Sequence, residues 1–188
     1  MKISWEKLEH EWRKELLSHA RGKVLEVGAE TGNNFKYYPP GVHVTATDMS
    51  GRMIEKAKQE AKAKGVKAEF IVSHVEDLQL PVHGFDTIIS TFSLSAYENP
   101  VPVLKRFNSW CRPDGMILMM EYGLSKYGLV NWLQQKWQPY HYRRTGRHIN
   151  RDMLSLISES KFRIKKLELK YAGIVYLMWA SLVPQNGV

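Results

Sequence analysis

The chain has 188 residues, a single cysteine and a formal net charge of +8. That length suits one domain able to bury a full core, and one cysteine excludes an internal disulfide framework and points to a cytoplasmic setting. The charge admits an anionic partner, either a phospholipid surface or nucleic acid, but a solvated basic face accounts for it equally well.

Residues 3–19 place Trp5, Leu8, Trp12, Leu16 and Leu17 at helical spacing with charges between them, the pattern of an amphipathic helix. The segment lacks the uninterrupted apolar core of a secretory leader. It reads as a helix that covers the domain. Its tryptophans and cations allow peripheral docking on an anionic membrane as a second role. "KVLEV" (23–27), "HVTATDM" (43–49), "KAEFIVS" (67–73), "FDTIISTF" (85–92) and "GMILMMEY" (115–122) are short apolar runs, as buried parallel strands should be. Between them lie helical stretches. "SGRMIEKAKQEAKAKG" opens on Ser50 as N-cap and closes on Gly65 as C-cap, and "PVPVLKRFNSWC" carries proline near its start. After residue 122 the rhythm changes. A helix is expected over 129–137, then the polar, aromatic and basic run "QPYHYRRTGRH", then a helix over 151–160. "FRIKKLELKY" and "IVYLMWASLV" follow without a helix-length spacer and read as a closing antiparallel pair. The apolar run 172–183 is shorter than the roughly 20 residues a bilayer span needs.

The expected fold is α/β: a Rossmann-like, doubly wound, seven-stranded sheet, mostly parallel, with an antiparallel C-terminal strand. One domain fills 1–188. It divides into a cover helix (1–22), a cofactor-binding core (23–122) and an acceptor-side segment with the closing strands (123–188).

"VLEVGAETGNN" (24–34) is a strand, a glycine turn and a helix start, the layout that places a ligand at the carboxyl end of the first strand. Asp48 ends the second strand 20 positions after Gly28, where an acid takes the ribose hydroxyls of an adenosine. A pyrophosphate on this turn would face Glu26 and Glu30, and like charges there are costly. S-adenosylmethionine carries no phosphate and ends in an ammonium and a sulfonium, so the acids favour it. No Gly-Lys-Ser/Thr follows the turn, which excludes a P-loop.

These stretches resemble the class I S-adenosylmethionine-dependent methyltransferases. The likeness runs over about 23–183. It is strongest to the group similar to ubiquinone/menaquinone C-methyltransferases, bacterial phospholipid N-methyltransferases and mammalian thiol S-methyltransferases. "VLEVGAETGNNFKYYPPG", "VTATDMSGRMIEKAK", "VSHVEDLQLP", "FDTIISTFSLSAYENP" and "LKRFNSWCRPDGMILMMEY" match its motifs in order, and "TGRHINRDMLSLISESKF" resembles a late motif of the phospholipid and thiol subgroups. The resemblance implies that S-adenosyl-L-methionine is the cofactor and S-adenosyl-L-homocysteine the product. It implies that Glu26, Gly28, Glu30 and Gly32 line the methionine moiety, Asp48 holds the ribose, Met49 packs on the adenine, Val75 and Glu76 flank the adenine edge, and Thr91 and Phe92 close the site beside the methyl group. The chain departs from the pattern at three places. Glu30 replaces the usual second glycine, His74 an acid, and Tyr122 a frequent histidine.

On the acceptor side, Tyr97, Glu121, Tyr122 and His141 are the candidate catalytic residues, because a nearby base exposes the lone pair of an amine or thiol. Tyr140 and Tyr142 suit an alkylammonium and Arg143 and Arg144 a phosphate; with His148 they form the candidate acceptor-binding set. The expected acceptor is a small molecule or phospholipid, with the amine headgroup of phosphatidylethanolamine as first choice. A soluble thiol or amine, and a non-catalytic S-adenosylmethionine-binding module, are the alternatives. Nucleic acid is not expected, since "STFSLS" stands where an Asn/Asp-Pro-Pro-Tyr/Phe motif would follow strand four. No segment marks a required protein partner. The seven histidines show no metal-ligand spacing, so no metal is expected.

Overall fold

The computed structural model describes residues 4–160 and 162–183. Residues 1–3, 161 and 184–188, at the margins of the expected cover helix and closing strands, lie outside it. Seven strands form one sheet: β1 (Lys23–Val27), β2 (His43–Asp48), β3 (Ala68–Val72), β4 (Phe85–Thr91), β5 (Cys111–Tyr122), β6 (Phe162–Lys170) and β7 (Val175–Leu182). Their order is β3-β2-β1-β4-β5-β7-β6. The first five run parallel, and β7 is antiparallel to both β5 and β6. The order reverses between β1 and β4. Chain connections diverge there and leave a crevice at the carboxyl ends of the strands.

Helices cover both faces. α1 (Trp5–Leu17) and α2 (Gly51–Lys64) lie on one, and α3 (Val101–Trp110) and α5 (Met153–Glu159) on the other. The central strands bury alternate residues in opposite layers. Leu25, Ile88, Ile117 and Met119 join Leu104 and Phe107, while Val24, Ile89, Leu118 and Met120 join Leu16, Leu17 and Ala57. That two-sided burial explains why these strands read as unbroken apolar runs. α2 is punctuated as its sequence implies. The Ser50 hydroxyl accepts from the Met53 N–H, and Gly65 closes the helix at φ 66°. Asp152 caps α5 through the Ser155 N–H.

Two boundaries differ from expectation. The chain passes from α3 straight into β5, which starts at Cys111 rather than 115. Cys111 pairs with Phe85 before the register shifts. The helix expected over 129–137 is α4 (Gly128–Thr145) and runs through Pro139. Proline removes one N–H, so the Gln135 carbonyl loses its helical partner. Both Gln135 and Pro139 are exposed, and water serves that carbonyl at little cost.

α4 also has an inverted polarity. Its buried side chains are Gln134 and Gln138. Gln134 accepts from the Ser125 N–H (2.8 Å) and donates to the Gly123 and Ile149 carbonyls. Gln138 accepts from the Ile149 N–H (2.9 Å). The helix is therefore held by side-chain amides rather than by apolar packing. Gln134→Leu should lower the free energy of unfolding by about 2–3 kcal/mol, because it strands buried backbone groups. Leu133→Gln, one position earlier, should change it by less than about 0.5 kcal/mol. Urea denaturation of the two variants measures the difference.

Candidate active site

The crevice holds a cavity of about 460 Å³, within the usual range for a small-molecule site. Its floor is the turn that leaves β1. The Gly28 and Ala29 N–H groups both donate to the Thr47 carbonyl at 2.9 Å, which folds the turn against β2. Gly28 has φ 73°, and a Cβ there would lie 2.6 Å from Ser93 Cβ. Only glycine fits that approach. At φ 49° Glu30 adopts the left-handed conformation with a full side chain, at a cost of about 1 kcal/mol. Its carboxylate pairs with Arg147 at 2.6 Å. Such a half-exposed pair returns about 0.2–1 kcal/mol, so the two effects nearly cancel.

Asp48 is fixed at both oxygens. Oδ2 accepts from the Glu30 N–H (3.0 Å) and Oδ1 from the Ser50 N–H (2.9 Å). Met49 stands beside it, 63% exposed, over the cavity. His74, Val75 and Glu76 form the wall after β3, and Ser93, Tyr97 and Glu98 the wall after β4. Arg147 closes the rim, with Nη1 donating to the Phe92 carbonyl at 2.7 Å. Arg151 pins the Tyr97 and Glu98 carbonyls from behind. The lining carries four carboxylates (Glu30, Asp48, Glu76 and Glu98) against one arginine, and that arginine is already paired.

Of the residues expected at the cofactor, Gly28, Glu30, Asp48, Met49, Val75 and Glu76 line this cavity. Glu26, Gly32, Thr91 and Phe92 do not. Gly32 packs against the Phe35 ring below the turn. Glu26 is buried, accepting from Asn34 Nδ2 (2.7 Å) and the Tyr38 hydroxyl (2.8 Å). Thr91 accepts from Asn34 and from Arg13 of α1, whose guanidinium also bonds Asn34 Oδ1 and pairs with Glu9. Phe92 stacks on Tyr122 with centroids 4.3 Å apart, and Trp5 lies parallel to Tyr122 at 6.5 Å. Trp12 is buried. α1 therefore turns its tryptophans inward, and the lipid-docking role read for them has no exposed rings to carry it.

Among the residues expected to be catalytic, only Tyr97 reaches the cavity wall. Glu121 is buried and braces the turn after β4. It accepts from the Ser90 hydroxyl (2.6 Å) and the Ser93 and Leu94 N–H groups (3.2 Å each). Tyr122 belongs to the aromatic stack, where burial lifts its pKa to about 12. His141 contacts the Thr145 hydroxyl and the Arg147 carbonyl on α4. The expected acceptor set does not assemble. Tyr140, Arg143 and Arg144 face solvent, and Tyr142 packs on His148, which reaches Glu98 at 3.3 Å outside the lining. The extension of α4 through Pro139 is the cause, since it rotates these residues onto the outer face. Arg147 and Glu98 line the cavity outside the set the sequence implies. The clue to Arg147 was an acid in a glycine turn, which calls for a cation.

A model described as "Methyltransferase domain" matches residues 24–115. The mitochondrial methyltransferase OMS1 of Saccharomyces cerevisiae is 28% identical over 90% of this chain and 40% of its own length. The human thiol S-methyltransferase TMT1B is 35% identical over 65% of this chain and 53% of its own. The phosphatidylethanolamine N-methyltransferase of Cereibacter sphaeroides is 29% identical over 54% and 51%. Among solved structures, the PH0226 protein of Pyrococcus horikoshii has the same fold at TM-score 0.74 and 22% identity, covering 96% of this chain and 92% of that one. The chain belongs to the class I S-adenosylmethionine-dependent methyltransferases. It spans about half the length of the curated relatives it matches.

Glu26 and Glu121 have a thermodynamic consequence. Burial raises each to about 7 from the ordinary 4.5, outweighing the hydrogen bonds that favour ionisation. The unfolded chain releases these protons near pH 4.5 and the folded chain near pH 7. The fold therefore binds more protons within that window, and stability present below it is lost as pH rises through it. The free energy of unfolding should fall by a few kcal/mol between about pH 5 and pH 8, measured by urea titration. A rise over that interval would mean that both carboxyls are ionised in the fold.

Proposed function

We propose that this chain transfers a methyl group from S-adenosylmethionine to a small, largely apolar acceptor, a thiol in preference to an amine. The observation that carries the reading is the cavity lining. Four carboxylates face a single paired arginine, which suits a cationic, phosphate-free adenosine cofactor. When bound, that cofactor supplies an electrophilic methyl on a sulfonium sulfur. Asp48, held by two N–H groups, keeps lone pairs for the ribose hydroxyls. Met49 and Val75 offer apolar cover for the adenine, and Glu76 stands at its edge. The bare backbone at Gly28 admits the methionine end.

The remaining residues bear on the acceptor. Burial raises the Tyr97 phenol far above neutrality, so it donates hydrogen bonds and is no base. Glu26 and Glu121 are fully engaged elsewhere. The acceptor must then bring its own lone pair. Near neutrality a thiol, with a pKa of about 8.5, is uncharged and keeps its sulfur lone pairs, whereas an alkylamine is largely protonated. The thiol proton leaves to water as the new S–CH3 bond forms and the sulfonium S–CH3 bond breaks. A phosphoethanolamine headgroup is less well served, because Arg143 and Arg144 lie off the cavity. The thiol S-methyltransferase relative also matches at higher identity, and over more of the chain, than the phosphatidylethanolamine one.

Two measurements test this. Calorimetric titration of S-adenosylmethionine should show Asp48→Ala binding at least about tenfold weaker, some 1.4 kcal/mol, with Glu30→Gly binding as well as the parent or better. Unchanged affinity in Asp48→Ala would displace the site. Incubation with methyl-labelled S-adenosylmethionine should put label on an apolar thiol, with one S-adenosylhomocysteine formed per methyl. Label on ethanolamine phospholipid alone would restore the headgroup reading. Tight binding without product on thiols, amines and lipids would leave a binding module.

A further inference from the structure

We propose that the outer face of α4 docks this chain on an anionic phospholipid bilayer. The inference is independent of the methyl-transfer reading, since it concerns a surface and not the cavity.

The first ground is polarity. A helix on a water-facing surface buries its apolar side chains and exposes its polar ones. α4 does the reverse. Leu129, Trp132, Leu133, Trp137 and Tyr140 are each 52–71% exposed, while Gln134 and Gln138 are buried. Their spacing puts the five on one stripe about 16 Å long. Scattered exposed apolar residues need no explanation, but a continuous aromatic stripe on an inverted helix does.

The second ground is charge. From Tyr122 to Arg151 the chain has no Asp or Glu. Lys126, Lys136, Arg143 and Arg144 are exposed there, and none is in an ion pair among the described residues. Elsewhere the surface mixes both signs: exposed Lys56 and Lys62 share α2 with Glu55 and Glu60, and Lys166 pairs with Glu168. Tryptophan, tyrosine and leucine flanked by unpaired cations fit the boundary between acyl chains and anionic headgroups. A second copy of the same face would set cations against cations. Among the described residues no helix is long and apolar enough to cross a membrane, so the contact is peripheral. α4 ends at Gly146, and the next residue, Arg147, is on the cavity rim. A docked α4 therefore brings the rim close to the lipid.

Sedimentation with vesicles tests the proposal. The chain should bind phosphatidylcholine vesicles containing one-third phosphatidylglycerol, and bind pure phosphatidylcholine at least about tenfold more weakly. Trp132→Ser/Trp137→Ser should weaken binding by about tenfold or more. Lys136→Glu/Arg143→Glu/Arg144→Glu should abolish the preference for anionic lipid. All these side chains are exposed, so the circular dichroism and Tm of both variants should match the parent. In the unaltered chain, acyl-brominated lipid should quench tryptophan emission. Absence of binding to the anionic vesicles, or equal binding by both variants, would overturn the proposal. So would a concentration-dependent dimer, seen by light scattering and abolished by the tryptophan pair, because the face would then belong to a second copy.

Discussion

The Glu26 carboxyl lies under the turn that leaves β1, 2% exposed, with Asn34 and Tyr38 as its partners. A buried acid without partners costs several kcal/mol, so the groups that satisfy it are committed to their places. Asn34 in turn accepts from Arg13 and donates to Thr91. Four segments thus meet at one buried polar cluster: α1, β1, the stretch after the glycine turn, and the end of β4. A second buried acid, Glu121, repeats the device on β5, across β4, and fixes the turn after β4. Neither acid touches the cavity. Together they set the two turns between which the cavity opens, and Gly28 lies against Ser93 where those turns meet.

Most of the fold was legible because its signals are local. Ser50 and Gly65 bracket α2, Asp152 starts α5, and two-sided burial makes the central strands continuous apolar runs. The closing antiparallel strands followed from the lack of a helix between them. α4 runs past the end its sequence implies, for an equally physical reason. Proline usually ends a helix because the residue before it is pushed out of the helical region. Here that residue is Gln138, and its hydrogen bond to the Ile149 N–H holds it in place. A contact 11 positions away overrides a local preference, and nothing near Pro139 announces it.

The site was legible in the half that depends on spacing along the chain. The interval from Gly28 to Asp48 is set by one strand–turn–strand unit, so the ribose-side acid could be placed. The half built by distant contacts could not. Arg147 meets Glu30 across 117 positions, and Glu98 meets His148 across 50. The family likeness sets Glu26 against the methionine moiety; in the structure that side chain lies beneath the turn, bonded to Asn34 and Tyr38. The helix end at 137 then left the aromatic-basic run without a phase. Once α4 extends to Thr145, Tyr140, Arg143 and Arg144 share the outer face and cannot also line the cavity.

That separation bears on how the two proposals fit together. A headgroup site needs its phosphate ligands and its nucleophile channel in one place, and here they are apart. The cations and aromatics lie along α4, while the acid-lined cavity lies past its C-terminal end. A surface that recognises lipid collectively has no need to place any one headgroup beside the cofactor. It gathers whatever is dissolved in the bilayer, and an apolar thiol partitions there with about 0.8 kcal/mol for each buried methylene. Docking by α4 would then raise the local concentration of such an acceptor at a cavity whose one arginine is already paired with Glu30. On that argument the basic segment and the thiol preference do not compete. The first brings the chain to its acceptor, and the second follows from a cavity that Glu121, Tyr122 and His141 do not line and where Tyr97 keeps its proton.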